Sequence, residues 1–532
     1  MPDDRLPPAF TRIRVDPEVE TLVGSTSPVV LLGGSPLKLL RLNPPADSIF
    51  AALARGATLR EVADESNRSV RSVARFTRRL LDSGIVHPRL EHRAGQELGD
   101  QLLKLSRSVS VVIPVYQRSA GLDRLLTSIH ESLPTGTAVI VVDDGSTDDT
   151  SAVALRHGAR VVRHDTSRGP AAARNAGLEG VATEFVAFLD SDCLVTGRWL
   201  EPLMAHFGDP AVALVAPRIG GLALPVGRSA NFDHTSMRAY EDVRSSLDLG
   251  NREAPVVPRT RVAYVPAAAL VARTSAIRGI GGFATSMHVG EDVDLVWRLH
   301  AAGHVCRYEP SSNVQHDHRT SAGAFLKRRF QYGTSAAELA KRHPGQVPPL
   351  AVSGWSALAW GFLATMNPLG LAASTAVVIG SAAALPRKLT SVADPRKLAA
   401  RLAFRGHLGA GRQLASAMWR SYLPIAIVCA LFSRRARFAL LAAGLIPNFL
   451  DWSERHPNLD PIRYVGIRLA DDAAYCAGVW HGCREGSTLA PLRPDLTSWP
   501  GRKNVTGDSI GPDGENRRKI ASWLSTSTAR WK

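Results

Sequence analysis

The sequence predicts an α/β protein: a doubly wound, mostly parallel sheet, preceded by a small winged-helix-like unit and followed by apolar helical hairpins. Three observations carry this. From Val109 onward, apolar strand-like runs alternate with helical stretches of 10 to 15 residues, the rhythm of strands joined by crossover helices. Ahead of it, residues 1–92 hold two strand-like runs, three helical ones and a closing extended pair. Beyond residue 345, four apolar stretches rich in Ala, Gly and Ser replace the alternation.

The first unit opens with Pro28-Val-Val-Leu-Leu32 and Leu37-Lys-Leu-Leu-Arg-Leu42, punctuated by Gly33-Gly34 and Asn43-Pro44-Pro45. Ala46 to Leu53 has helical spacing. Thr58 with Glu61 three residues on is a capping-box start, and Ser69 to Ser83 places Val70, Val73, Phe76, Leu80 and Leu81 on one helix face, with Gly84 as terminator. A polar linker, 93–108, separates this unit from the domain 109–345. There Val109 to Val115, Ala138 to Val142, Arg160 to Val162 and Glu184 to Leu189 read as strands; 121–132, 148–157 and 170–180 read as helices. Ligands of such a sheet sit at the carboxyl ends of its strands.

In the region 346–490, Leu350 to Met366 and Leu371 to Leu385 are split by Asn367-Pro368, and Tyr422 to Phe432 and Phe438 to Leu450 form a second split pair. Each arm is shorter than the ~20 residues of a full membrane span. Interfacial or re-entrant hairpins therefore compete with tilted spans and with buried helices of a soluble domain. The tail, 491–532, is polar and without period, the composition of a disordered segment.

The chain has 532 residues, a net charge of +16 and five cysteines without regular spacing. That excludes a disulfide framework or a CxxC metal knuckle and suits a reduced, cytosol-facing protein. Residues 1–30 lack the apolar run of a secretory signal. The charge is uneven: residues 109–317 carry −4, while 318–450 carry 17 basic against 2 acidic residues. Arg387-Lys388, Arg396-Lys397 and Arg434-Arg435 flank the apolar stretches as anchors to an anionic cytoplasmic membrane face do.

The polar residues that stand out lie just after the strands. Asp143-Asp144-Gly145-Ser146 reads either as a turn with a helix cap or as part of a ligand site. In Asp190-Ser191-Asp192 the two carboxylates share a face, which is costly without a cation between them; hard oxygen donors with open positions suit Mg²⁺ or Mn²⁺ on a diphosphate. Arg168 to Gly177 is a glycine-bounded helix start carrying Arg174, suited to an anionic nucleotide. Glu291 and Asp292 open a further helix, as dipole partners or as a general base taking the proton of an attacking hydroxyl. After the next strand, His316-Asp317-His318 offers a third metal ligand, and His316 is preferred over His318.

These elements in this order resemble the family-2 glycosyltransferases of the GT-A fold, over residues 108 to 333. The resemblance rests on Val112-Ile-Pro-Val-Tyr116, Asp143-Asp-Gly-Ser146, Ala173-Arg-Asn175, Asp190-Ser-Asp192 and Glu291-Asp292. It implies an inverting single displacement from a nucleotide diphospho-sugar. Pro114, Tyr116, Asp143, Asp144, Arg174, Asp190 and Ser191 would contact the donor, and Asp190, Asp192 and His316 the metal. Asp292, with Glu291 beside it, would be the base. Arg174 or an arginine of Lys327-Arg-Arg-Phe-Gln-Tyr332 would steady the leaving diphosphate. The processive signature of a Gln and an Arg-Trp pair after the base is missing, which disfavours a polymerase.

The N-terminal unit resembles the peptide-binding modules of pyrroloquinoline quinone maturation. A winged-helix unit is also a common DNA reader, but residues 1–108 hold only 16 basic against 13 acidic residues, a weak footprint for duplex binding. With the helix around Leu469 to Trp480, the whole chain except the tail is similar to the mycofactocin-system glycosyltransferases of actinobacteria. That similarity implies a hexosyltransferase using UDP-glucose, with premycofactocin as acceptor, a β-1,4-linked oligoglucose chain as product, an anionic membrane surface as partner, no nucleic acid, and a place on the cytoplasmic face of the cell membrane. An envelope lipid or polysaccharide as acceptor, and a membrane-tethered regulator with a degenerate transferase domain, are the competing readings.

Overall fold

The computed structural model describes residues 5–22, 29–89, 108–222, 232–317, 321–389, 392–497, 507–510 and 516–519. The linker, apart from Ser108, and His318 lie outside them.

The N-terminal unit has strands β1 (Ile13–Val15), β2 (Glu20–Leu22), β3 (Val29–Gly33), β4 (Lys38–Leu42) and β5 (Val86–Pro88), and helices α1 (Ala46–Ala54), α2 (Leu59–Glu65) and α3 (Val70–Ser83). Besides the two strands and the closing extended pair that were expected, β1 and β2 form, because three-residue strands are too short to show a period. The capping box is present: Thr58 Oγ1 accepts from the Glu61 N–H at 3.2 Å, and the Glu61 carboxylate accepts from the Thr58 N–H at 2.7 Å. Helix α3 ends on Gly84 at φ 69°, a left-handed terminus that glycine adopts without Cβ strain. Its buried Leu80, Leu81 and Phe76 join Leu31, Leu42, Ile49 and Leu53 in one core.

This unit is fastened to the following domain by buried charge pairs. Arg78, 1% exposed, forks onto both oxygens of Asp209. Glu253 takes Arg14 and Arg307, and His87 Nδ1 lies 3.6 Å from the same carboxylate. A helix α3 that points Arg78 into a neighbouring domain is not free to read DNA with that side chain.

The central sheet contains β6 (Val109–Val115), β7 (Ala138–Asp143), β8 (Arg160–Arg163), β9 (Phe185–Leu189), β10 (Cys193–Val195), β11 (Val212–Gly221), β12 (Ala254–Pro255), β13 (Ala269–Arg273) and β14 (Val305–His316). Its order is β10-β14-β11-β13-β9-β6-β7-β8, with β12 beside β14. The half β9-β6-β7-β8 is parallel. Around it lie α4 (Ser119–Ser132), α5 (Thr150–Arg156), α6 (Pro170–Glu179), α7 (Leu200–Ala205), α8 (Phe232–Arg244), α9 (Thr274–Gly279), α10 (Glu291–Ala301) and α11 (Ala322–Arg342). One core fills each face of the sheet. Strands β6 and β9 are buried throughout, as expected where helices cover both sides.

The apolar stretches become α12 (Gly354–Leu363), α13 (Pro368–Ala384), α15 (Leu423–Phe432) and α16 (Arg434–Arg455), carried on α14 (Pro395–Arg420) and followed by α17 (Pro461–Glu485). Helix α17 lies backbone to backbone on α11: a Cβ at Gly333 would stand 2.2 Å from the Tyr475 carbonyl, and one at Gly478 2.0 Å from that of Phe330. Arg329 and Asp471, 3.1 Å apart, and Arg420 and Asp472, 2.6 Å apart, add buried ion pairs to this seam.

Strand β15 (Ala351–Val352) pairs with β16 (Asp495–Leu496). In the stretch expected to be disordered, β17 (Gly507–Ile510) pairs in parallel with β4 and antiparallel with β18 (Asn516–Lys519). An open sheet edge accepts such a strand through backbone hydrogen bonds, which composition does not reveal.

Candidate active site

Loops after β6, β7, β9 and β14 and the start of α10 converge at the carboxyl edge of the parallel half-sheet. Asp190 and Asp192 follow β9 in a tight turn in which the Cys193 N–H donates to the Asp190 carbonyl at 2.9 Å. His316 closes β14 opposite β10, in register with Cys193, and its Nε2 lies 3.2 Å from Asp192 Oδ1. The other Asp192 oxygen faces Arg118 at 3.3 Å. Burial works against the charged form of Asp192, but the hydrogen bond and charge of His316, with Arg118, outweigh it and hold the carboxyl well below its ordinary range. Burial works the other way on the His316 imidazole, and its bond to Asp192 overrides that and raises it. Thus two of the expected metal ligands, Asp192 and His316, are in contact.

Arg174 is 3% exposed. Its guanidinium bridges Asp190 at 2.7 Å and Glu291 at 2.9 Å, and it lies 5.4 Å from the centre of the Phe283 ring. Arg174 thus ties two site carboxylates together. Burial pushes the Asp190 carboxyl up, Arg174 draws it back and the Asp192 charge raises it again, for a net rise. Asn175 completes the clamp, exchanging two 2.8 Å hydrogen bonds with the Phe283 backbone.

Asp292 differs from its neighbours. It is partly exposed, accepts from the Val293 N–H at 2.8 Å and the Ala267 N–H at 3.3 Å, and pairs with no cation side chain among the described residues. Burial and the Glu291 charge push it up to about 6. The same loop reaches the aspartate turn, since the Ala268 carbonyl accepts from the Asp190 N–H at 2.9 Å. Loop 267–268 thus sets the spacing between the two halves of the site. A partly exposed carboxylate pushed up to about 6 is suited to general base catalysis. Asp294, by contrast, is fully buried on His343 and Arg298 and is structural.

Asp143 and Asp144 are 0% and 4% exposed. Asp143 accepts from the Ser146 N–H, Ser151 and Arg163. Asp144 accepts from Ser167, from the N–H groups of Arg168 and Gly169, and lies 2.7 Å from His164 Nδ1. Burial opposes its charge, but these donors outweigh it and lower the carboxyl. Both aspartates therefore hold the loop after β7 in shape. Tyr116, just after β6, is 53% exposed, while Pro114 and Ser191 are buried.

Three site residues, Arg118, Arg124 and Tyr264, were not legible in the sequence, whereas Arg328 belongs to the run Lys327 to Tyr332 already singled out. Arg118 and Arg124 both face Asp317, at 3.9 and 3.1 Å. Arg328 stacks on Tyr332 at 4.8 Å; burial works against its charge, but Tyr332, Glu291 and Asp190 raise its pKa. Tyr264 is pushed up to about 12 by burial and by the Asp292 charge. A separate buried cluster, His206, Glu253 and Glu309, has ligand atoms within 4.8 Å of one another. It lies at the seam with the N-terminal unit, where Arg307 already supplies the cation to Glu253.

The family description "Glycosyl transferase family 2" matches residues 110–243, and "Glycosyl transferase family group 2" matches residues 185–446. The pre-mycofactocin glycosyltransferase of Mycobacterium tuberculosis (strain CDC 1551 / Oshkosh) is 41% identical over 505 residues, 92% of this chain and 99% of the relative. The glycosyltransferase AglE of Haloferax volcanii is 27% identical over 42% of this chain and 71% of its own length. A mannosyltransferase structure from Pyrobaculum calidifontis superposes with a TM-score of 0.34 at 20% identity, covering 59% of this chain and 87% of its own, too slight a likeness to argue from. The parallel half-sheet, its strand-end carboxylates and a relative matched almost from end to end agree, and the chain belongs to the family 2 glycosyltransferases, in the family of the Mycobacterium pre-mycofactocin glycosyltransferase, and is a hexosyltransferase.

Proposed function

We propose that the protein transfers glucose from UDP-glucose to premycofactocin and extends a β-1,4-linked oligoglucose chain on it, at the cytoplasmic face of the cell membrane. The near full-length match to a pre-mycofactocin glycosyltransferase is the observation that carries the acceptor. The N-terminal unit would recognise the peptide-derived part of the acceptor. Its β4 edge takes up an added strand, as β17 does, and Arg78 is turned away from any nucleic acid.

The chemistry follows from the site. The ring of Tyr116 is placed to cover the nucleobase. Arg118 and Arg328 face the region where the diphosphate charge grows, and Asp292 takes the proton of the acceptor hydroxyl as it attacks the anomeric carbon from the opposite side, inverting it. The donor set Asp190, Asp192 and His316 fits a divalent ion: two hard carboxylates whose mutual repulsion already raises Asp190, with one imidazole. These three residues would hold Mg²⁺ or Mn²⁺, which supplies Lewis-acid neutralisation of the diphosphate when bound.

Purified protein incubated with UDP-glucose, a divalent ion and premycofactocin should give acceptor masses increased by one or more hexoses. Absence of hexose addition, with transfer to envelope lipid instead, would favour the second reading, which the exposed apolar hairpins support. The pH profile is a further prediction. Protonated Asp292 is far too weak a base to take the hydroxyl proton, so kcat/KM should fall about tenfold per unit below pH 6 and level off above it. A profile flat down to pH 5 would remove Asp292 from the role.

A further inference from the structure

Nineteen of the twenty-five large apolar side chains that stand exposed among the described residues lie between Phe362 and Leu450. They sit on α12, α13, α14, α15 and α16, the segment of strongest positive charge. Phe432, 86% exposed, marks the tip of the α15–α16 hairpin, and Leu369, 83% exposed, the tip of the α12–α13 hairpin. A patch of this extent is uncommon on a protein surface that meets only water.

The hairpins are rigidly mounted. His407 of α14 lies 3.0 Å from Ser356 of α12 and 2.9 Å from Ser381 of α13, and Trp360 donates to the His407 carbonyl at 2.8 Å. On the other half of α14, Trp419 donates to the Leu440 carbonyl at 3.2 Å and packs against Gly444. Helix α14 is therefore a beam carrying both hairpins.

Length and charge decide how such a surface meets a bilayer. Helices α12 and α15 have ten residues each, about 15 Å at 1.5 Å per residue, half of a ~30 Å hydrocarbon core. The segment Pro368–Arg387 is long and apolar enough to cross. Its C-terminal end, however, is bound to the body, with Leu385 and Leu389 packed against Leu32, Leu37 and Leu39 of the N-terminal unit. The α15–α16 tip carries exposed Arg434, Arg435 and Arg437 directly after Phe432. An upright hairpin would drive these guanidinium groups to the bilayer midplane, where charge is most costly. A hairpin lying flat leaves them among the headgroups and still buries Ile425, Val428, Phe438 and Leu445.

Resting on the membrane location proposed above, we infer that both hairpins seat flat in one leaflet of an anionic membrane, that Arg434, Arg435 and Arg437 bind its phosphates, and that no segment between α12 and α16 crosses. Cys429 on α15 is a built-in reporter: it is exposed, and the other four cysteines are buried.

Full-length protein labelled at Cys429 with bimane is mixed with vesicles of phosphatidylglycerol and phosphatidylcholine, or of phosphatidylcholine alone, carrying nitroxide at a shallow or a deep acyl position. The expected result is flotation with the anionic vesicles, a blue-shifted label and stronger quenching by the shallow nitroxide. The combined R434E, R435E and R437E variant should bind anionic vesicles about a hundredfold more weakly, with its thermal transition and its transfer activity in detergent unchanged. Stronger quenching by the deep nitroxide would overturn the flat seating while leaving the membrane location intact. Equal binding to both vesicle types would overturn the phosphate contacts. A failure to float, with a dimer in sedimentation, would assign the apolar face to a second copy and overturn the membrane location too, while hexose transfer to premycofactocin in detergent is scored independently.

Discussion

Asp292→Asn is expected to lower turnover about a thousandfold, within the range that a lost general base produces, while UDP affinity stays within about twofold of the parent. The reason is in the placement. Asp292 accepts only backbone N–H groups, from Val293 and Ala267, so an amide can keep its position through its carbonyl oxygen but cannot take a proton. Its neighbour Glu291 cannot substitute, because Arg174 occupies that carboxylate at 2.9 Å. Single-turnover measurements with nucleotide binding by calorimetry check both halves. Turnover within tenfold of the parent would move the base elsewhere, and loss of UDP affinity in step with turnover would make Asp292 a donor contact.

Arg174→Met should be the most destructive substitution that leaves every site carboxylate in place. The methionine fills much of the space but removes the cation between Asp190 and Glu291. Two carboxylates then face each other below the site with their counter-ion gone, and breaking such a buried arrangement costs about 3–5 kcal/mol. Transfer should fall with stability, because the aspartate turn and the start of α10 lose their common tie. The pH dependence separates this account from simple loss of packing. The Asp190 carboxyl is already raised in the folded protein, so its ionised form opposes folding, a penalty present above the folded pKa and lost as pH falls below it. Removing Arg174 enlarges that penalty. Urea unfolding should accordingly show a deficit that is large at pH 8 and shrinks toward pH 5, whereas a pure packing defect is independent of pH. Arg174→Lys should recover part of the stability, since a single ammonium cannot fork to both carboxylates.

The site was partly legible before any coordinates. Asp192 and His316 meet because each stands at the end of a strand, β10 and β14, paired side by side. The capping box at Thr58 and the glycine terminus of α3 were equally visible, since both are written within a few residues. Arg174 is the opposite case. It was seen as a cation near a nucleotide, but its partner Glu291 lies 117 positions away, and the bridge turns it from a ligand contact into a clamp. Asp144 shows the same limit: its neighbours in sequence leave a turn and a ligand site open, and they do not reveal that the loop 164–169 folds back onto both oxygens. Strand β17 pairs with β4, whose residues lie more than 460 positions earlier.

The sequence by itself determined the order of elements, the parallel half-sheet, the acidic strand ends and the basic apolar region, because periodicity, caps and charge runs are local properties of the chain. Only the tertiary structure decided which carboxylate is free to act. Burial and ion pairing are conferred by segments far apart in sequence, and they silence Asp143, Asp144, Glu291 and Asp294 while leaving Asp292 open and titrating near 6.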